Sequence, residues 1–208
     1  MAPEEVARLL DVSRETLDRL MAYADLLQKW QRRINLVSAA TLPDLWRRHI
    51  LDCGQLARYL PPDSLEIIDL GSGAGLPGLI LAIVSAVPVH LVESDARKCA
   101  FLLEAARVTG AAVKVHRARA EDLEAWPADA VTARAVAPLP RLLELAVPFV
   151  QPGRTVCLFL KGREAEQELT ESAKHWNMRV ERFASLSDPS GLILRLSEVQ
   201  RSRDRSHG

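Results

Sequence analysis

Along the first part of the chain, apolar residues recur at the interval of a helix turn. Leu17, Leu20, Ala24 and Leu27 share one face, Ser13 stands where a cap belongs, and Glu15 and Asp18 follow in the first turn. A second helix is predicted after Thr41-Leu42-Pro43-Asp44, a capping sequence with proline in the first turn. Trp46, Ile50, Cys53, Ala57 and Leu60 form its stripe, and Pro61-Pro62 ends it. From residue 65 the pattern changes: short apolar runs at 65–70, 89–93, 113–116, 129–133 and 155–160 read as strands, and helical periodicity occupies 77–85, 96–108, 139–148 and 163–175. Two last apolar segments, 178–184 and 191–196, flank Asp188-Pro189-Ser190-Gly191 and read as a hairpin closing one edge. The rhythm predicts an α/β fold, a mainly parallel seven-stranded sheet with helices on both faces and an antiparallel edge hairpin. A helical extension over 1–62 is expected to pack on a main domain over 63–198, and the polar tail 199–208 is expected to be disordered.

In such a sheet the ligand crevice lies beyond the carboxyl ends of the strands. The first strand runs into Asp69-Leu70-Gly71-Ser72-Gly73-Ala74-Gly75-Leu76-Pro77-Gly78, a glycine-packed turn that opens a helix. Two cofactors compete for it. Gly73-Ala74-Gly75-Leu76-Pro77-Gly78 satisfies the dinucleotide fingerprint, with Glu93 ending the next strand at the expected distance of about 20 residues. Against a dinucleotide, Pro77 removes an N–H from the helix start that would hold a pyrophosphate. Asp69-x-Gly71-x-Gly73-x-Gly75 instead resembles the first motif of Rossmann-like S-adenosylmethionine methyltransferases, and the turn alone leaves both open. The remaining strand ends carry Glu93-Ser94-Asp95, Ala120-Glu121, Arg134 and Lys161-Gly162, so polar chemistry converges on one edge.

Composition narrows the partners. Nearly half of the 208 residues are apolar, enough for one domain with an ample core. The formal charge is zero, so any nucleic-acid contact must come from a local patch. Lys29, Arg32, Arg33, Arg47, Arg48 and His49 supply one, in a stretch whose single acid is Asp44. Cys53, Cys99 and Cys157 are odd in number and widely spaced, which predicts reduced thiols, a cytoplasmic setting and no metal centre. The acidic start Met1-Ala2-Pro3-Glu4-Glu5 is no secretory signal. No charge interrupts Leu70 to Val92, but its glycines and prolines predict a buried helix and strand rather than a membrane span.

Several segments together resemble the bacterial RsmG family, also called GidB, which methylates N7 of a guanine in 16S ribosomal RNA. Besides the glycine turn these are Ile34-Asn35-Leu36, Arg48-His49-Ile50-Leu51-Asp52, Glu93-Ser94-Asp95-Ala96-Arg97-Lys98, Thr132-Ala133-Arg134-Ala135-Val136-Ala137 and Leu160-Lys161-Gly162, in the family's order. The resemblance implies a Rossmann-like class I methyltransferase with S-adenosylmethionine as cofactor, S-adenosylhomocysteine as product, and 16S RNA or the small ribosomal particle as partner. It implies cofactor contacts at Asp69, Gly71, Gly73, Gly75, Leu76, Glu93, Ser94, Asp95, Ala120, Glu121 and Arg134. Arg32, Arg33, Asn35, Arg47, Arg48, His49 and Lys161 are the expected RNA contacts. Glu93 suits two ribose hydroxyls, and Glu121 suits the adenine amino group.

Arg134, at a strand end facing the crevice, is expected to orient the cofactor or the RNA, with a salt bridge to Glu93, Asp95 or Glu121 as its structural alternative. His49 is expected to make a structural hydrogen bond, for instance to Asp52 one turn on. Guanine N7 carries a lone pair and no proton, so no general base is expected and in-line positioning is the main task. A monomer is expected. An NAD-linked oxidoreductase and an RNA-binding module with a vestigial pocket are the competing classes.

Overall fold

A computed structural model of the protein describes residues 1–202. Seven strands form one sheet: β1 (Ile67–Leu70), β2 (Val89–Glu93), β3 (Val113–Arg117), β4 (Ala130–Arg134), β5 (Val156–Lys161), β6 (Trp176–Ala184) and β7 (Leu192–Arg201). Their order is β3-β2-β1-β4-β5-β7-β6, parallel from β3 through β5, with β7 antiparallel to both β5 and β6. The strand order reverses between β1 and β4, and their carboxyl ends frame the crevice that such a reversal opens.

Strand alternation sorts the core into two layers. Ile67, Val89, Leu91, Ala130, Val156 and Leu158 face one way and their neighbours Ile68, Val92, Val131, Cys157 and Phe159 the other. The first face is covered by α1 (Pro3–Leu10), α2 (Arg14–Gln31), α3 (Asp52–Gly54), α4 (Gly78–Ser85) and α5 (Ala96–Thr109). The second is covered by α6 (Leu139–Ala146) and α7 (Ala165–Ser172). The N-terminal extension and α4 therefore share a single hydrophobic cluster with the sheet. Sandwiched between them, Gly78 to Ile83 of α4 are buried on every side, which accounts for the charge-free stretch in the sequence. Among the described residues no helix is long and apolar enough to cross a membrane.

The helix expected after residue 44 is instead a composite. A 3-10 turn (Ala39–Asp44) leads into a π-helical turn (Trp46–Leu51), the single turn of α3, and a second 3-10 turn (Gln55–Tyr59). This segment packs against α1, α4 and the hairpin loop together, so Leu45, Leu51 and Leu56, off the predicted stripe, are buried while Trp46, Ala57 and Leu60 are only partly so. Leu10 of α1 lies so close to Gly54 that an added Cβ would sit 2.6 Å from its Cδ1. Smaller differences occur elsewhere. Arg134 and Lys161 are the last residues of their strands rather than the first of the loops, and α7 is shorter than its predicted span. β7 runs to Arg201, so 199–201 of the expected tail belong to a strand, with Gln200 and Arg201 paired to β6, while 203–208 lie outside the described residues.

Candidate functional site

The glycine turn leaves β1 with Gly71, Gly73 and Gly75 all at positive φ, between +56° and +80°. A Cβ on Gly75 would meet Leu79 Cβ at 2.7 Å, so that glycine serves packing. A Cβ on Gly73 would meet nothing nearer than 3.8 Å and would stand in the open crevice, so that glycine keeps space for a ligand against the backbone. Two supports fix the turn from beneath. Tyr23, fully buried on α2, donates its hydroxyl to the Ala74 carbonyl at 2.8 Å. Asp69, also fully buried, accepts from Thr132 Oγ1 at 2.8 Å, and its backbone carbonyl accepts from Ser72 Oγ at 3.0 Å. Burial pushes the Asp69 carboxyl up to about 6, although the hydroxyls and the Gly78 amide around it favour the charge. Asp69 thus braces the turn from the core and does not face the crevice. Pro77 is the cap of α4, ahead of the first helical residue Gly78, and leaves the helix start one N–H short.

Glu93 ends β2 with its carboxylate turned into the turn. Oε2 accepts from the Gly73 amide at 2.9 Å and Oε1 from the Asp95 amide at 2.8 Å. Each oxygen retains a lone pair for a donor from a ligand. Asp95 caps α5 by accepting from the amides of Arg97 and Lys98, an arrangement that holds its pKa below the usual range, with Arg97 the leading cause. Ser94 between them is exposed. Ala120 and Glu121 lie in a short 3-10 turn after β3, where the Glu121 carboxylate pairs with Arg141 at 2.5 Å. Glu121 is therefore committed to a surface ion pair.

Arg134 reaches the extension. Its Nη1 donates to the Arg48 carbonyl at 3.2 Å and to Asp52 Oδ2 at 3.3 Å, and its Nη2 donates to His49 Nδ1 at 3.1 Å. The salt bridge given as its structural alternative does form, but with Asp52, expected only beside His49, in place of Glu93, Asp95 or Glu121. Because guanidinium can only donate, His49 Nδ1 must accept, and its Nε2–H then donates to Thr41 Oγ1 at 2.8 Å, which in turn donates to the Ser38 carbonyl at 2.7 Å. His49 is buried, and desolvation followed by the Arg134 and Arg48 charges pushes its pKa down to about 4. The π-helical turn makes this possible. The Asp52 amide bonds to the carbonyls of Arg47 and His49 rather than to that of Arg48, which accepts from Arg134. Immediately beyond, Ala135 holds a φ of +53°, strain of about 1–2 kcal/mol for a residue with a Cβ.

Arg134, His49 and Ala135 form a wall between two cavities. On one side is a crevice of about 200 Å³ lined by Gly71, Gly73, Leu76, Leu36, Ser38 and Thr41. On the other is a wide polar cleft of about 620 Å³ between the strand ends and the hairpin loop. Arg48 pairs across that cleft with Asp188 at 2.6 Å, and Arg47 pairs with Asp44 and donates to the Ser187 carbonyl at 2.7 Å. Lys161 is turned inward, bonding Glu168 at 2.7 Å and the Ala137 carbonyl at 2.9 Å, with its side chain 9% exposed. Lys161 and His49, expected as RNA contacts, are held by internal bonds while lining the wide cleft. The predicted basic patch divides in two. Arg47 and Arg48 belong to the hairpin side, whereas Lys29, Arg32, Arg33 and Asn35 lie exposed at the far end of α2. Cys53, Cys99 and Cys157 are buried and free.

Comparison with known proteins bears on this geometry. A family model described as rRNA small subunit methyltransferase G (GidB) matches residues 16–190. A protein of Paramagnetospirillum magneticum named ribosomal RNA small subunit methyltransferase G is 58% identical over 98% of each chain. Another of that name from Rhodospirillum rubrum is 55% identical over 97% of this chain and 100% of its own. Among solved structures, M. jannaschii TYW2 in complex with AdoMet superposes with a TM-score of 0.58 at 17% identity, covering 82% of this chain and 80% of that one. A putative O-methyltransferase from Klebsiella pneumoniae does so at 0.58 and 14%, covering 94% and 95%. These two likenesses show a shared fold.

Proposed function

Because the chain belongs to the GidB family of rRNA small subunit methyltransferase G, we infer that it transfers a methyl group from S-adenosylmethionine to N7 of a guanine in 16S ribosomal RNA, leaving S-adenosylhomocysteine. The observation that supports this most is the wall of Arg134, His49 and Ala135, with a small glycine-lined crevice on one side and a wide polar cleft on the other. The crevice would take the part of a nucleoside cofactor nearest the glycine turn, and the wide cleft a nucleotide of a folded RNA.

The residues fit the cofactor. Gly73 leaves the backbone open, Glu93 has lone pairs free for ribose hydroxyls, and Gly71 and Leu76 line the crevice beside them. Ser94, Asp95, Ala120 and Glu121 follow the neighbouring strand ends outside the crevice lining and would hold the nucleoside part of the cofactor from there, Asp95 through groups other than its capping carboxylate. A dinucleotide is disfavoured because Pro77 leaves the start of α4 without one of the donors its pyrophosphate would need. Bound there, S-adenosylmethionine supplies an electrophilic methyl on a sulfonium.

Guanine N7 needs no deprotonation, so the reaction calls for no general base, and His49 is not one. The only lone pair of neutral His49 is taken by Arg134. Arg134 acts by position. Asp52, His49 and the Arg48 carbonyl hold three of its N–H bonds, which aims the guanidinium and leaves its remaining donors for the guanine O6. A donor on N7 itself would occupy the attacking pair. Holding N7, carbon and sulfur in line can lower the barrier by about 7–11 kcal/mol. The target guanine must lie in a loop or be turned outward, because the N7 edge of an A-form helix is beyond side-chain reach. A monomer acting in the cytoplasm completes the proposal. Small subunits from a strain lacking the gene should take up label from methyl-labelled S-adenosylmethionine, with chain scission at 7-methylguanosine marking the atom. Absence of label in both naked 16S RNA and the assembled particle would refute the assignment.

A further inference from the structure

A second cavity system lies outside the wall and crevice. Where α2 ends and α5 begins, a groove of about 560 Å³ is floored by Trp30, Ile34 and Ala100 and edged by Lys29, Arg32, Arg33 and Arg97. Trp30 is held by an edge contact to buried Phe101, with ring centroids 5.7 Å apart. Arg33, Ile34 and Arg97 also line a neighbouring pocket with Asn35, Asp95 and Lys98. The chain then continues from Asn35 into Leu36, Val37 and Ser38, which line the cofactor crevice. The groove and the crevice are therefore consecutive along one short segment.

Charge is concentrated here against a neutral background. Lys29, Arg32, Arg33, Arg97 and Lys98 gather around the groove, and Asp95 is the one acid lining either pocket. Asp95 spends its carboxylate on the amides of α5 and on Arg97 at 3.3 Å. Among the described residues, Lys29, Arg32, Arg33 and Lys98 make no salt bridge, in contrast to Arg47, Arg48, Arg134 and Lys161. Resting on the functional reading above, we propose that this groove is a second RNA-docking site, which grips a single-stranded stretch beside the target nucleotide. The cations take the phosphates, and the apolar floor takes an unstacked base or ribose. A row of cations over an aromatic floor suits single-stranded nucleic acid, whose bases offer π-faces between successive phosphates. The groove would hold the RNA while the wide cleft presents the guanine.

The test compares Arg32→Glu/Arg33→Glu with Arg8→Glu/Arg14→Glu, an equal charge change at exposed positions away from the groove. KM for small-subunit RNA, KM for S-adenosylmethionine, kcat and filter binding of 16S RNA against salt are measured for both. The groove variant should bind RNA about tenfold more weakly and lose roughly 1.4 from the slope of log affinity against log salt, about 0.7 for each lost phosphate contact. Its cofactor KM and kcat should stay at wild-type values, and the control should change little. Trp30→Leu should weaken RNA binding with the salt slope intact. RNA affinity and slope within twofold of wild type in the groove variant would overturn the proposal, as would an equal loss in the control. A loss seen with assembled particles but not naked RNA would assign the groove to a ribosomal protein and also overturn it. If the wild type methylates no RNA, the functional reading fails instead, and filter binding still decides the groove.

Discussion

Asp69→Asn removes one oxygen's charge from the core beneath the glycine turn and leaves the shape intact. The wild-type carboxyl is fully buried, and burial raises its pKa from the ordinary 3.8 to about 6. A carboxyl whose folded pKa lies above its unfolded one stabilises the fold least when ionised. Below pH 4 both states are protonated and nothing is lost, between pH 4 and 6 only the unfolded chain ionises readily, and above pH 6 the loss is complete. At 1.36 kcal/mol per unit, that loss is about 3 kcal/mol, of which about 2 kcal/mol accrues between pH 4.5 and 7.5. Asparagine keeps an oxygen for Thr132 and does not titrate. Urea unfolding of both proteins across this range isolates the group, because every other titration cancels in the difference. Wild-type stability relative to Asp69→Asn should fall by about 2 kcal/mol as the pH rises from 4.5 to 7.5. A difference that is flat, or that rises with pH, would refute the claim that burial dominates over the hydrogen bonds.

Three further outcomes are expected. Gly73→Ala should fold, at a cost of about 1–2 kcal/mol for a left-handed alanine, yet lose most S-adenosylhomocysteine affinity by calorimetry. Gly75→Ala, whose Cβ meets Leu79 at 2.7 Å, should instead show the larger drop in melting temperature. Arg134→Lys keeps the charge but cannot serve Asp52, His49 and the Arg48 carbonyl with one planar fork, so kcat/KM should fall on the order of a hundredfold in single-turnover methyl transfer with the fold retained. His49 stays neutral down to about pH 4, so in the Asp69→Asn background, where the buried carboxyl no longer titrates, single-turnover rates should show no ionisation between pH 5.5 and 8, and a limb near 6.5 there would contradict the buried, Arg134-bound imidazole.

How far the site was legible depended on how far apart its partners lie in the chain. The glycine turn, Glu93 and the strand ends are local patterns, and the structure brings them to one edge as the alternation of strands and helices implied. The partner of Arg134 was not local. Asp52 lies 82 residues earlier, and nothing in the spacing of charges connects it to the fourth strand rather than to His49 three residues away. Lys161 looked like a phosphate ligand because its partner Glu168 becomes a neighbour only when α7 folds back beside β5. The basic segment 29–49 read as one patch because sequence distance hides the turn after Gln31, which sends Arg47 and Arg48 toward the hairpin and leaves Arg32 and Arg33 behind. Helix periodicity failed over 46–60 for a related reason. That segment buries several faces at once, and a single stripe is the signature of one.

The extension thereby contributes to the framework of the proposed site rather than being only attached to it. The sheet alone supplies the glycine turn and Glu93, which can seat a cofactor but cannot aim a base at it. Tyr23 braces the turn from α2, Thr41 accepts the Nε2–H of His49, and Asp52 and the Arg48 carbonyl complete the acceptor set for Arg134. A regular α-helix over 46–54 would pair the Arg48 carbonyl with the Asp52 amide and leave it a single lone pair to offer. The π-helical turn gives up that regular bond, and the guanidinium recovers it. The irregular backbone of the extension and the strained Ala135 thus sit on opposite sides of the same wall, where a local departure from ideal geometry is compensated by the contacts it permits.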